Sequence, residues 1–99
     1  MAQALLSVQI IPKTPNGEDV IPYVDRAIEV IKASGVNYRV GPLETTMEGE
    51  FDELLGILKR MNEAMFEMGC PSVMSQVKLL VGGPNASMER LLEKYPDGK

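Results

Sequence analysis

Ninety-nine residues, 44% of them apolar and 24% charged, set the size of one soluble domain, since chains of about 100 to 200 residues ordinarily fold as a single unit. The net charge of −4 excludes general phosphate-backbone binding, which needs clustered Lys and Arg, so nucleic acid is not an expected partner. Histidine is absent, which removes the usual general base, the Ser-His and Cys-His nucleophile pairs and the commonest zinc ligand, and with them most hydrolase mechanisms; it does not forbid a carboxylate base such as Glu48, but no enzymatic role, cofactor or metal is expected.

The opening AQALLSVQIIP, residues 2 to 12, mixes β-branched and apolar residues in rough alternation and stops at Pro12, which predicts a strand. Asp19 is a candidate N-cap, Pro22 falls in a first helical turn, and Val20, Val24, Ala27, Ile28 and Ile31 recur at helical spacing up to Gly35, a suitable left-handed terminator. Val36, Tyr38 and Val40 then alternate with Asn37 and Arg39, Gly41 and Pro42 punctuate, and Leu43 to Gly49 runs on. This reads as a β-hairpin. From Phe51 the period returns to 3.6, with Leu54, Leu55, Leu58, Met61, Met65 and Met68 on a stripe and Asp52 and Glu53 suited to the helix N-terminus. Gly69 and Pro71 close that helix. Ser72 to Val81 alternates again, with Val73, Val77, Leu79 and Val81 on one side and Met74, Gln76, Lys78 and Leu80 on the other. After a turn at Gly82 to Asn85, Ser87 is placed to cap a short last helix carrying Met88, Leu91, Leu92 and Tyr95, before a polar tail, 96–99, expected to fray.

The order β, α, β, β, α, β with a short terminal helix predicts an α+β, ferredoxin-like βαββαβ sandwich: a four-stranded antiparallel sheet with both main helices on one face and the other face bare. Residues 1–99 read as a single domain. Strand alternation puts Leu5, Ser7, Gln9 and Ile11 on the bare face if Leu6, Val8 and Ile10 face the helices, together with Arg39, Glu44, Thr46, Glu48, Gln76, Lys78, Met74 and Leu80. An apolar share that includes Leu5, Ile11, Met74 and Leu80 suggests self-association through the sheet or its edge, although scattered surface hydrophobes are also ordinary. The apolar runs are far shorter than the ~20 residues a bilayer span requires, and the start lacks a secretory pattern, so no membrane partner and a cytoplasmic location are expected. The single cysteine, Cys70, cannot form an internal disulfide.

Local motifs have structural readings. Glu44, Glu48 and Glu50 crowd the third strand and its following turn, where solvated edge charge is the plainer account than acid-base chemistry. Gly82-Gly83-Pro84-Asn85 lacks the Gly-Lys-Ser/Thr ending of a P-loop and reads as a turn. Cys70 lies at a helix end rather than a start, and is expected to be inert. Met61, Met65 and Met68 fall on the helical stripe as core filling, and Tyr23, Tyr38 and Tyr95 are too dispersed to form an RNA-stacking platform.

The segment YRVGPLETTMEGEFDELL, residues 38 to 55, resembles the thiamine-binding-protein family, which includes YkoF-like proteins: Gly41, Pro42, Thr45, Glu48 and Gly49 match a Gly-Pro-x-x-Thr-x-x-Glu-Gly signature. Ile11-Pro12, Val24-Asp25-Arg26-Ala27-Ile28 and Ser34-Gly35-Val36-Asn37-Tyr38 are also similar to it, so the likeness spans nearly the whole chain. The resemblance implies a ferredoxin-like fold, homo-oligomers (dimers or tetramers) joined through their sheets, and binding of a small molecule, thiamine or its hydroxymethylpyrimidine moiety. The residues to carry it are Thr45, Thr46, Glu48, Ser7, Gln9 and Tyr38, with hydroxyl and amide groups meeting an aminopyrimidine and Glu48 meeting a thiazolium cation. Positions three apart on a regular strand face opposite ways, so Thr45 and Glu48 share one pocket only if a bulge intervenes near Gly49. The alternative is a structural or regulatory homo-oligomer with no small-molecule ligand, in which Gly41 and Pro42 merely shape the hairpin.

Overall fold

A computed structural model describes residues 3–95. Strand β1 (Gln3–Lys13) leads through a tight turn at Pro15–Gly17 into helix α1 (Ile21–Ser34); β2 (Asn37–Val40) and β3 (Thr45–Glu50) form the hairpin; helix α2 (Phe51–Glu67) returns to β4 (Ser72–Val81), and a short helix α3 (Met88–Leu92) follows. The strands lie in the order β2-β3-β1-β4, and each paired neighbour is antiparallel. This is the expected ferredoxin-like βαββαβ arrangement, with β1 in the centre. The expected frayed tail, 96–99, lies outside the described residues.

The helices begin and end for local reasons. Pro22 sits in the first turn of α1, where its missing N–H removes no helical bond. Asp19 does not occupy the cap position, which belongs to Val20, but its carboxylate accepts from the Ile21 N–H at 3.2 Å and so serves the first turn from one residue further back. Gly35 closes α1 at φ 81°, the left-handed conformation anticipated for it. Glu50 caps α2, accepting from the Asp52 and Glu53 amides at 3.3 and 3.2 Å, and Ser87 caps α3 through the Arg90 amide at 3.3 Å.

The core lies between one sheet face and the two long helices. Leu6, Val8 and Met47 meet Ala27 and Ile31 of α1 and Leu54, Ile57, Met61 and Met65 of α2, all essentially inaccessible to solvent. The helical stripes are rotated slightly from expectation: Tyr23 is buried while Val20 is exposed, and Ile57 and Ala64 enter the core while Leu55 lies out. The shift reflects which edge of each helix faces a twisted sheet, which period alone does not fix.

The second face is not wholly bare. Leu5 points to it, yet is only 7% exposed, and Ala86 and Met88 are buried as well. Glu48, directly beside Leu5 on β3, accepts a hydrogen bond from the Met88 N–H at 2.7 Å. The start of α3 therefore sits over this end of the sheet, and the expectation that Leu5 is uncovered is overturned. Ile11, Met74 and Leu80 on the same face are exposed, Met74 at 67%. No helix among the described residues is long and apolar enough to cross a membrane.

Candidate functional site

Strand alternation sends Ser7, Thr46, Arg39 and Lys78 to the face away from the long helices, and the register aligns them. Arg39 pairs with Thr46, Thr46 with Ser7, and Ser7 with Lys78, so one row crosses all four strands. At its centre the Ser7 and Thr46 hydroxyls are 3.0 Å apart, one donating to the other. The next row along β1 pairs Gln9 with Gln76. The row on the other side holds Asn37, Glu48, Leu5 and Leu80, with the start of α3 anchored on Glu48.

Arg39, Thr46, Lys78, Gln9 and Gln76 floor a trough of about 510 Å³ whose wall is the turn between β2 and β3, Gly41 to Glu44. That turn is pinned by the Gly41 N–H donating to the Glu44 carbonyl at 2.9 Å. A Cβ at position 41 would lie 2.8 Å from the same carbonyl oxygen, so the close approach requires glycine. Glu44 projects toward the trough, and Lys78 Nζ reaches within 3.7 Å of its Oε1. Because β1 separates β4 from β3, Lys78 must lean over β1, across the trough floor, to make this contact. Both partners are substantially exposed, so the pair itself adds little stability.

The six residues singled out from the sequence divide between the faces. Ser7, Gln9 and Thr46 come together on the trough side, and Glu48 lies one row away with its Oε1 engaged by α3. Thr45 and Tyr38 point to the helix side. Pairing of β3 with both neighbours runs through without a bulge, so Thr45 and Glu48 do not share a pocket. Thr45, 6% exposed, instead lines a narrower, largely apolar cleft of about 290 Å³ between α1 and the hairpin, with Val24, Ala27, Val40 and Met61.

Gly49 is needed for packing. A Cβ there would sit 3.2 Å from Glu53 Oε1 and 3.3 Å from Leu54 Cδ2, so glycine lets the first turn of α2 close onto β3. Arg39, Gln76 and Lys78 were placed on this face by alternation but not assigned to the site. Their alignment with Thr46, Ser7 and Gln9 depends on strand register, which one strand's pattern does not contain. Cys70 is buried, and burial, with Glu18 nearby, pushes its thiol above the ordinary range, in keeping with an inert side chain. Among the described residues no three His, Cys, Asp or Glu side chains are grouped to hold a metal ion.

Chemically the trough offers two carboxamides, the Thr46 hydroxyl with that of Ser7 bonded to it, and two cations against one carboxylate. This is a set for recognising the edge of a polar heterocycle, with no nucleophile-base pair in it.

Comparison with known proteins gives consistent results. A family model described as thiamine-binding protein matches residues 6–94. A UPF0045 protein of Clostridium perfringens is 39% identical over 90 residues, 91% of this chain and 94% of that protein. A structure of a domain of unknown function, DUF77, from Bacillus cereus superposes with a TM-score of 0.86 at 37% identity, covering 97% of this chain and 92% of that one. A crystal structure from Thermotoga maritima, provisionally described as a thiamine biosynthesis/salvage protein, superposes with a TM-score of 0.82 at 28% identity, over 94% of this chain and 98% of that one.

Proposed function

We propose, since this chain belongs to the thiamine-binding protein family, that it is a non-catalytic binding protein for thiamine or its hydroxymethylpyrimidine moiety, with copies associating through their sheets. The observation that carries this reading is the polar floor of the trough, where Gln9 and Gln76 stand side by side next to the Ser7–Thr46 hydroxyl pair. A carboxamide presents an acceptor and a donor side by side, which matches the amino group and adjacent ring nitrogen of an aminopyrimidine in the way Gln and Asn read adenine. The Thermotoga neighbour's description places that protein in thiamine chemistry, which supports the same ligand class here.

Binding without turnover is supported by how two of the carboxylates are used. Glu50 caps α2 and Glu48 holds the start of α3, which leaves Glu44 as the one carboxylate of the cluster that lines the trough. Association through the sheet is supported by Ile11, Met74 and Leu80, apolar and exposed beside the trough, where a second copy would cover them and close the shallow site.

Isothermal calorimetry with thiamine and with hydroxymethylpyrimidine tests the reading. Heat is expected with at least one, reduced by Gln9→Ala and Thr46→Val; no heat with either at millimolar concentration would remove it. Met74→Glu is expected to lower the assembly mass in a sizing experiment. Dissociation by Met74→Glu combined with no heat from any compound would favour the alternative, an oligomer without a small-molecule ligand.

A further inference from the structure

We infer that the trough takes a phosphomonoester of a pyrimidine-bearing alcohol in preference to the unphosphorylated compound, with the phosphate on the Arg39–Thr46–Ser7–Lys78 row. The inference rests on the proposed trough function and specifies its ligand. A chain of net charge −4 has set two cations at the ends of one row and two hydroxyls between them. Phosphate recognition uses that combination, charge-assisted bonds from Arg and Lys with hydroxyl donors to the remaining oxygens.

The hydroxyl pair is suited to an acceptor. A hydroxyl has one proton, so in the Ser7–Thr46 bond one O–H is spent on its neighbour and the other remains free to donate outward. Arg39 and Lys78 stand on the two edge strands, three strand spacings or about 14 Å apart at the backbone. Lys78 already leans inward over β1, as its contact with Glu44 requires. Arg39 lines the same trough. An anion on the row meets both cations, and exchanging the exposed Lys78–Glu44 pair for a phosphate costs little.

Charge and spacing distinguish the ester from its parent. Arg39 and Lys78 against Glu44 leave the trough at +1, and Glu48 directs Oε1 to the Met88 amide. A free thiazolium cation meets like charge there, whereas a phosphate meets opposite charge. The carboxamide row and the hydroxyl row are two residues apart along β1, about 7 Å, a separation that a ring with a one-carbon arm can bridge.

The test is calorimetry on the full chain with five probes: inorganic phosphate, hydroxymethylpyrimidine, its phosphomonoester, thiamine and thiamine monophosphate. The hydroxymethylpyrimidine ester is expected to bind at least tenfold tighter than its parent, with the advantage shrinking as salt rises from 20 to about 150 mM, and thiamine monophosphate, whose phosphate lies beyond a second ring, is expected to gain less over thiamine. Arg39→Gln and Lys78→Gln should bring the ester-to-parent affinity ratio down toward one, while Glu44→Gln raises it. That opposition of sign separates a phosphate seat from general damage to the fold. Parents that bind as tightly as their esters overturn the inference and leave the proposed function standing. Inorganic phosphate binding as tightly as the esters overturns the pyrimidine part of it. No heat from any probe overturns both.

Discussion

Glu48 belongs to the family-like signature, and its side chain docks α3. The Glu48→Ala variant should therefore release that helix. The bond removed is a 2.7 Å charge-assisted contact from carboxylate to backbone N–H in a partly buried setting, a class worth about 1.5 to 3 kcal/mol. Partial solvent access places the loss toward the low end, about 1 to 2 kcal/mol. The effect is amplified locally, because a five-residue helix has no stability of its own. Once Met88 loses its acceptor, the Ser87 cap alone must hold the turn, and Leu5 becomes exposed. In urea, with a slope of about 1 to 1.5 kcal/mol/M for a chain of this size, the midpoint should fall by about 1 M. Amide exchange at Met88 and Arg90 should quicken more than exchange in β1. Glu48→Gln keeps a neutral acceptor and should lose roughly half as much. An unchanged midpoint together with unchanged Met88 protection in Glu48→Ala would falsify the assignment of Glu48 to α3.

Gly41→Ala places a Cβ 2.8 Å from the Glu44 carbonyl, Gly49→Ala one at 3.2 to 3.3 Å from movable side-chain atoms; denaturation should show the first costing about 1 to 3 kcal/mol and the second less, and the reverse order would refute the steric account. Leu54→Ala empties a site with no solvent access and should cost about 3 to 5 kcal/mol in the same assay, a loss under 1 kcal/mol being incompatible with the core described. Burial, then Glu18, raises the Tyr23 phenol above its ordinary value, and burial and Glu18 do the same for the Cys70 thiol. The native state thus holds these protons more tightly than the unfolded chain, so the stability they contribute is complete below about pH 8.5 and is lost as the pH climbs through the raised folded values. Urea midpoints at about pH 8 and pH 10.5 should diverge, and Tyr23→Phe with Cys70→Ala should narrow the gap; a gap unaffected by both substitutions counts against this pair as its source.

Period and punctuation sufficed for the strand and helix plan, because each long element buries one face and its sequence alternates accordingly. Leu6, Val8 and Ile10 against Ser7 and Gln9 on β1 are the plainest case. The same alternation predicted that Thr45 and Glu48 face opposite ways unless a bulge intervened, and the unbroken register settles that point. What period could not supply was the relation between strands. Arg39 and Lys78 are 39 positions apart and come into one row only through three successive pairings, each set by a turn and by core packing elsewhere. The docking of α3 was equally illegible, since its anchor is a single side chain 40 residues away. Tyr23 in the core and Leu55 outside it show the same limit at helical scale: amphipathicity fixes a stripe, but the sheet's twist chooses its edge.

The signature residues and the trough residues are mostly different sets, with consequences for ligand choice. Gly41 lets the hairpin turn close, Gly49 lets α2 approach, and Glu48 fixes α3 over one end of the sheet. Only Gly41 shapes the wall of the trough, and all three act on backbone or helix, not on its floor. The floor is Gln9, Gln76, Thr46, Arg39 and Lys78, with Ser7 bonded to Thr46, and none of these is a fixed position of the signature. A relative can therefore keep the turn, the α2 approach and the α3 anchor while changing every group that touches a ligand. Exchanging Arg39 and Lys78 for neutral residues in this scaffold should leave the unfolding free energy in urea within about 0.5 kcal/mol of the parent, as exposed substitutions do, while altering which small molecules bind. A double variant that unfolded readily would show instead that the row helps hold the sheet, and that its charges cannot be assigned to recognition.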